Sequence, residues 1–117
     1  TNIALNIMVI DDHSNLRETL SAQLQQEGHR IIAVPSAEEA LNQISRQVFD
    51  IIVADIRLPG INGEEFYEMM LNTDPNLARK IILISGAQYN PRYKDTPFLR
   101  KPFSKKQLLK MIERISS

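Results

Sequence analysis

The stretch IIVADIRLPGING, residues 51–63, decides the fold of this chain. It opens with four apolar residues, three of them β-branched, which is typical of a strand buried on both faces. Asp55 ends the apolar run, and the proline and glycines that follow it are typical of a turn. We therefore predict a central strand over 51–54 that presents the Asp55 carboxylate at its carboxyl end. Open α/β sheets bind their ligands at that edge.

The composition narrows the class of protein. A chain of 117 residues predicts one domain, and 14 basic residues balance 14 acidic ones, which argues against a surface dedicated to nucleic acid or to anionic membranes. The chain has no cysteine, so disulfide frameworks and thiolate metal sites are excluded. It also lacks an apolar run near the roughly 20 residues of a membrane span, and a signal-peptide pattern. We therefore expect a cytoplasmic protein that contacts neither nucleic acid nor membrane directly.

Strand and helix patterns alternate along the chain. Further apolar runs predict strands at residues 7–10, 31–34, 81–84 and 98–100. Between and after them lie amphipathic helical patterns, such as Leu16, Leu20 and Leu24 on one face, and we expect the Met69–Met70 pair in the core. Three helices begin with a capping pair, namely Ser36 with Glu39, Asn62 with Glu65 and Ser104 with Gln107. This alternation predicts a parallel sheet with helices on both faces.

One segment breaks the alternation. Residues 87–97 contain two prolines and no apolar stripe, although a fourth helix belongs at this point of the chain. We therefore expect the fourth helix to be short or replaced by a loop.

Polar side chains follow four of the five predicted strands. These are Asp11 with Asp12, Asp55, Ser85 and Lys101. Two like charges about 6 Å apart cost roughly 3 kcal/mol at an effective dielectric of about 20, and one lysine cannot balance three carboxylates. The surplus negative charge at this edge of the sheet therefore predicts a bound divalent cation. Oxygen ligands in the absence of cysteine favour Mg²⁺ (or Mn²⁺) over Zn²⁺.

The same edge is suited to phosphoryl transfer. A carboxylate can act as a nucleophile and form an aspartyl-phosphate. The transferred group then needs positioning and charge neutralisation more than acid–base catalysis. The Lys101 ammonium, the Ser85 hydroxyl and the backbone amide of Gly86 or Ala87 would supply them, so Asp55 is the predicted attacking residue.

Four segments together resemble the receiver domain of bacterial two-component response regulators, the superfamily of the chemotaxis regulators. They are VIDD (9–12), VADIRLPGING (53–63), ILISG (82–86) and FLRKPF (98–103). The resemblance implies a flavodoxin-like doubly wound fold with a five-stranded parallel sheet in the order 2-1-3-4-5. The receiver would span residues 7–117, with 1–6 as a linker or a remnant of flanking sequence.

The resemblance also implies roles for the edge residues. Asp55 would accept a phosphoryl group from the phosphohistidine of a histidine kinase or a histidine phosphotransfer domain. Asp12 would bind Mg²⁺ directly and Asp11 largely through water, with Asp55 and the backbone carbonyl of Arg57 as further ligands. The phosphate would pair with Lys101, whose bond to Pro102 would be cis.

Two further residues would carry the signal in such a domain. Ser85 would move toward the phosphate and Phe98 would change rotamer with it, which remodels the face of the fourth and fifth strands and the last helix. This chain departs from the family in its short interval between Ser85 and Lys101. In the family, the side chains at positions 57 and 87 tune the access of water to the phosphate, and this chain has Arg57 and Ala87 there. The output domain or target protein is not evident, and the segment fits either a response regulator or a hybrid sensor kinase.

Other interpretations remain open at this point. Asp11 and Asp12 fit a simple cap of the following helix, and His13 fits a solvated loop residue. A haloacid-dehalogenase-like phosphohydrolase also attacks with an aspartate at a strand end, but it needs an acid two residues later, where this chain has Arg57. A degenerate receiver that serves only as an interaction module is the third alternative.

Overall fold

The computed structural model describes residues 3–86, 92–93 and 95–116. The strands are β1 (Asn6–Ile10), β2 (Arg30–Val34), β3 (Ile51–Asp55), β4 (Ile81–Ser85) and β5 (Phe98–Arg100). The helices are α1 (Ser14–Gln26), α2 (Ala37–Ile44), α3 (Gly63–Thr73), α4 (Pro75–Ala78) and α5 (Lys105–Ser116). The sheet begins at Asn6, one residue before the predicted first strand.

All five strands are parallel and lie in the order β2-β1-β3-β4-β5. β3 is central: Ile51 is opposite Ile7 of β1, and Asp55 is opposite Ile84 of β4. Every residue of β3 is buried, as its continuous apolar run predicts. The predicted flavodoxin-like fold and strand order are therefore confirmed, and Asp55 is the last residue of a fully buried central strand.

Alternate residues of the strands enter two separate cores. Ile52 and Ala54 pack with Phe66 and Met70 of α3, on the face covered by α2, α3 and α4. Ile51 and Val53 pack on the other face, with residues of α1 and α5. Fully burying an aliphatic or aromatic side chain contributes about 1.5–3 kcal/mol, so these two layers hold the sheet edge that carries the site.

Side-chain caps fix where two of the helices begin. The Glu65 amide donates to Asn62 Oδ1 at 2.8 Å, and the Asn62 amide donates to Glu65 Oε1 at 3.0 Å. Ser104 and Gln107 make the same reciprocal pair at the start of α5. These two predicted capping pairs are confirmed. The third predicted cap is also present, because the Glu39 amide donates to Ser36 Oγ at 3.2 Å at the start of α2. The N-termini of α3 and α5 are therefore anchored shortly after the strand ends that bear Asp55 and Lys101.

Two apolar predictions are wrong. Leu16 is 41% exposed, because the first turn of α1 lies beyond the carboxyl end of β1 and no strand is underneath it. Met69 is 38% exposed while Met70 is buried. Consecutive helical residues point about 100° apart, so only one of the two methionines can face the sheet.

The connection between β4 and β5 is expected to contain a short helix or a loop, and the structure describes only part of it. Its described residues, Gly86, Arg92, Tyr93 and those from 95 to 97, contain no helix, and the remainder of the segment (87–91 and 94) lies outside the described residues. The Lys101–Pro102 bond is cis, as the resemblance implies. Within the described part of the chain, no helix is both long enough and apolar enough to span a bilayer.

Candidate functional site

Asp55 is buried at the carboxyl end of β3, with only 4% of the residue exposed. Its Oδ1 accepts a hydrogen bond from the Arg57 amide at 2.9 Å, and its Oδ2 accepts one from Lys101 Nζ at 2.7 Å. A buried carboxylate needs such partners, because an isolated charge is strongly disfavoured away from water. The predicted acid and the predicted lysine are therefore in direct contact.

Lys101 reaches Asp55 across the intervening strand. It directly follows β5, and its own amide donates to the Ser85 carbonyl oxygen at 2.7 Å, which continues the sheet by one bond. The side chain of Lys101 is 32% exposed, so one side of its ammonium stays in water. The ammonium can therefore exchange one acceptor for another at this edge without leaving the site.

The acids after β1 form the second part of the site. Asp11 is buried; its Oδ1 accepts a hydrogen bond from the His13 amide at 2.9 Å, and its carbonyl oxygen accepts one from Arg17 Nη1 at 2.7 Å. Burial raises the pKa of Asp11 above its usual range. The His13 amide opposes that rise in the pKa, and the nearby charge of Asp55 adds to it. The site therefore carries more negative charge than its own cations relieve.

The interpretation of these acids as a helix cap is wrong. The N-cap residue of α1 is His13, and no side chain caps that end of the helix among the described residues. The Asp12 side chain is about one-third exposed, so it faces the solvent side of the site rather than the helix. The buried Asp11 and the accessible Asp12 are thus placed to serve a ligand.

Ser85 supplies the clearest sign of a missing partner. The residue is 1% exposed, and its hydroxyl has no hydrogen-bond partner among the described residues. A buried polar group without a partner costs roughly 1–3 kcal/mol, so native proteins rarely keep one without a function. Ser85 ends β4, next to the strand that ends in Asp55, so an oxyanion bound at this edge would satisfy its hydroxyl.

The donor set fits a divalent cation. Asp11, Asp12 and His13 each offer a ligand atom, and these atoms lie within 4.8 Å of one another. Carboxylate oxygens suit Mg²⁺ and Mn²⁺, and the surplus negative charge favours a cation of charge two. The pairing of Lys101 with Asp55 leaves Asp11 and Asp12 without a lysine or arginine side chain in ion-pair contact, within the described ranges.

The remaining predicted residues lie near this edge or beyond the described residues. Gly86 follows Ser85, its carbonyl oxygen accepts a hydrogen bond from Arg100, and Ala87 lies outside the described residues. Phe98 is half-buried against the core on the α3 face, and the Arg100 guanidinium lies 5.5 Å from its ring centroid. The roles of the Gly86 and Ala87 amides, of the Arg57 carbonyl and of Phe98 as a switch stay predictions.

Sequence reasoning missed two contributors to the site. The His13 side chain is 66% exposed, as predicted for a solvated loop residue, but its Nδ1 also lies 3.4 Å from Asp11 Oδ1 and 3.3 Å from Asp12 Oδ1. Its adjacency to the acids was the available signal. Gly63 was assigned only to a turn, but a Cβ there would lie 2.4 Å from the Asp55 carbonyl oxygen. No sequence signal identifies that approach, because it depends on how α3 packs against β3.

Two described residues of the connection between β4 and β5 contact α3. The Arg92 amide donates to Glu64 Oε2 at 3.0 Å, and the Tyr93 hydroxyl donates to the Glu68 carboxylate. The Tyr93 ring lies 5.1 Å from that of Tyr67. The hydrogen bond to Glu68 raises the pKa of Tyr93. The three α3 residues lie on one face at helical spacing, so this face of α3 carries the anchors of the connection.

Comparison with known proteins gives consistent matches. A sequence profile of the family described as response regulator receiver domain matches residues 7–113. Response regulator protein FleR of Pseudomonas aeruginosa is 30% identical over 116 residues, which are 96% of this chain and 24% of FleR. Sensory/regulatory protein RpfC of Xanthomonas campestris pv. campestris is 26% identical over 88 residues, 75% of this chain and 11% of RpfC. This chain therefore spans a quarter or less of both relatives.

A solved structure matches over nearly the whole chain. The crystal structure of a response regulator receiver protein from Sinorhizobium medicae superposes with a TM-score of 0.83 at 26% sequence identity. The match covers 97% of this chain and 94% of that protein's chain. The two chains thus share the extent of the fold as well as its topology.

Proposed function

The chain belongs to the response regulator receiver domains of two-component signalling, and on that premise we propose that Asp55 accepts a phosphoryl group from a phosphohistidine. The donor would be a histidine kinase or a histidine phosphotransfer domain. The observation that carries the proposal is the buried Asp55 carboxylate with Lys101 Nζ at 2.7 Å. In the reaction an Asp55 oxygen forms a bond to phosphorus while the phosphorus–nitrogen bond breaks, and the imidazole keeps its electron pair.

The residues around Asp55 supply the partners that the transferred group requires. The Lys101 ammonium exchanges the carboxylate oxygen for a phosphoryl oxygen, with little movement because it is already within hydrogen-bond distance. The Ser85 hydroxyl, which has no partner among the described residues, would gain an acceptor, and the Gly86 and Ala87 amides would bind the remaining oxygen. The attachment of each phosphoryl oxygen to a donor stabilises the charge that develops during transfer.

Receiver domains bind Mg²⁺ through acidic residues, and this site has the donors to do so. Asp11, Asp12, Asp55 and the Arg57 carbonyl would hold Mg²⁺ or Mn²⁺. The cation offsets the charge of the carboxylates and of the incoming phosphoryl group. The raised pKa of Asp11 is consistent with that role, because it reflects a buried negative charge that a cation relieves.

The signal would leave the site through Ser85 and Phe98. Ser85 ends β4, and Phe98 lies opposite Leu83 on the neighbouring strand. A shift of Ser85 toward the phosphate would therefore change the packing beside Phe98, which is half-buried against the core on the α3 face. We propose that this rearrangement is read by an output domain or a target protein, in a response regulator or a hybrid sensor kinase. The cytoplasmic location stays a prediction.

The alternative functions fit the site less well. In a haloacid-dehalogenase-like hydrolase the residue two positions after the nucleophile is an acid, whereas Arg57 follows here and only its amide contacts Asp55. A receiver that acts only as an interaction module would have no use for a buried Ser85 hydroxyl that lacks a hydrogen-bond partner among the described residues. Neither alternative has an observation in its favour.

Incubation with acetyl phosphate and Mg²⁺ tests the proposal. Intact-mass spectrometry should show the gain of one phosphoryl group, and Asp55→Asn should abolish it. Asp74→Asn is the matched control, because Asp74 is the cap of α4 and asparagine caps a helix equally well. Uptake that persists unchanged in Asp55→Asn would show that the nucleophile is another residue.

A further inference from the structure

His13 lies against both acids that follow β1. Its Nδ1 is 3.4 Å from Asp11 Oδ1 and 3.3 Å from Asp12 Oδ1, and 66% of its side chain is exposed. The imidazole therefore stands at the open side of the acid pair, where an ion enters from solvent. It is the only nitrogen ligand in the His/Asp/Glu clusters of the described residues.

The spacing matches that of ligands on one cation. First-row divalent ions bind nitrogen and oxygen at about 2.1–2.2 Å, so neighbouring ligand atoms of an octahedron lie roughly 3.0–3.1 Å apart. The two measured distances exceed that value by a few tenths of an ångström. All three ligand atoms also lie within 4.8 Å of one another, so small rotations of the side chains bring them onto one ion.

We propose that His13 Nδ1 is a further ligand in the cation site that contains Asp11 and Asp12, and that it makes the site prefer first-row transition ions to Mg²⁺. Imidazole binds transition ions better than it binds Mg²⁺, which prefers oxygen and water. This inference rests on the proposed cation-binding role of the acids. It adds that the phosphoacceptor site responds to the supply of ions such as Mn²⁺ or Co²⁺.

The same distances also fit an ion pair between a charged imidazole and the two carboxylates. That arrangement predicts the opposite behaviour, because a positive imidazole competes with every cation for the acids. Removal of His13 would then strengthen the binding of all divalent ions alike. The two arrangements are therefore distinguished by whether substitution of His13 weakens or strengthens the binding of divalent cations.

Calorimetric titration of the full chain with Mg²⁺ and, separately, with Co²⁺ measures the preference. His13→Gln should weaken Co²⁺ binding by about 10- to 100-fold and change Mg²⁺ binding by less than about threefold. His29→Gln is the control, because His29 is the second and last histidine of the sequence. Equal changes for both ions in His13→Gln, or tighter binding of both, would overturn the proposal.

Pulsed electron paramagnetic resonance of bound Mn²⁺ gives a direct signature of the ligand. The wild-type chain should show coupling of the manganese electron spin to an imidazole nitrogen, and His13→Gln should lose it while His29→Gln keeps it. A wild-type spectrum without nitrogen coupling would show that the site contains only oxygen ligands. Neither measurement requires phosphorylation, so failure here is distinct from failure of Asp55 to accept a phosphoryl group from acetyl phosphate with Mg²⁺.

Discussion

Gly63→Ala should destabilise the protein because there is no room for a Cβ where α3 begins. An ideal Cβ at this position would lie 2.4 Å from the Asp55 carbonyl oxygen and 2.8 Å from the Cα of Ile56, whereas ordinary contact begins at 3.4 Å. The neighbouring atoms are backbone and cannot rotate away. The first turn of α3 must therefore move by about 1 Å, away from the residue that bears the phosphoacceptor carboxylate.

The expected cost follows from two terms. Overpacking of a well-packed site costs about 1–3 kcal/mol. The movement also lengthens the hydrogen bond that the Gly63 amide donates to the Ile56 carbonyl at 2.9 Å, which is worth about 1 kcal/mol. The higher helix propensity of alanine relative to glycine offsets up to about 1 kcal/mol of this destabilisation. We therefore expect a net loss of about 1–3 kcal/mol in the free energy of unfolding, or roughly 4–12 °C in Tm.

Gly86→Ala is the matched control for this substitution. Gly86 also follows a strand at the carboxyl edge, but an added Cβ there meets no atom of the described residues within 4 Å, and its φ is not positive. Its free energy of unfolding should stay within about 0.5 kcal/mol or rise slightly. Urea unfolding followed by far-UV circular dichroism compares the two. Equal stability of both variants would refute the steric reasoning, and unchanged m-values are needed to read the difference as stability.

Three further substitutions test the electrostatics and the unpaired hydroxyls of the described residues. Asp11→Asn should stabilise the protein near neutral pH, because folding raises the pKa of Asp11 above 3.8 and the ionised carboxylate therefore opposes folding. In urea unfolding curves, this gain in stability should vanish as the pH falls below 3.8. Thr96→Val should raise the stability by about 1 kcal/mol in thermal unfolding, because the buried Thr96 hydroxyl has no hydrogen-bond partner among the described residues. A loss of stability would show that the hydroxyl does have a partner. Lys101→Met should lower the stability by about 1–2 kcal/mol in the same assay, which is below the usual range for a buried ion pair because Lys101 is one-third exposed. Addition of Asp55→Asn should restore most of that loss. Additive effects in the double variant would show that the two charges are not coupled.

The elements that decide the fold were predictable because their patterns are local. The apolar run of β3 predicted burial on both faces, and the capping pairs of α3 and α5 were read from residues three positions apart. The same reasoning failed for Leu16, since helical periodicity shows which residues share a face but not where the sheet beneath them ends. It failed for Met69 because that residue is adjacent to the buried Met70 and points about 100° away from it. A residue at the end of a helix is therefore the least secure prediction of a core position.

The sequence by itself determined which chemical groups stand at the ends of parallel strands, and with them Asp55, Lys101, Ser85 and the acids after β1. Parallel strands place their carboxyl ends at one edge, so the order of residues along the chain is sufficient for that result. Only the tertiary structure decided what each group touches. Three features depend on ångström distances between atoms. They are the close approach of the Gly63 backbone to Asp55, the Ser85 hydroxyl without a partner among the described residues, and the imidazole of His13 beside two carboxylates. Such distances arise from the packing of whole helices and strands, which no local pattern of residues specifies.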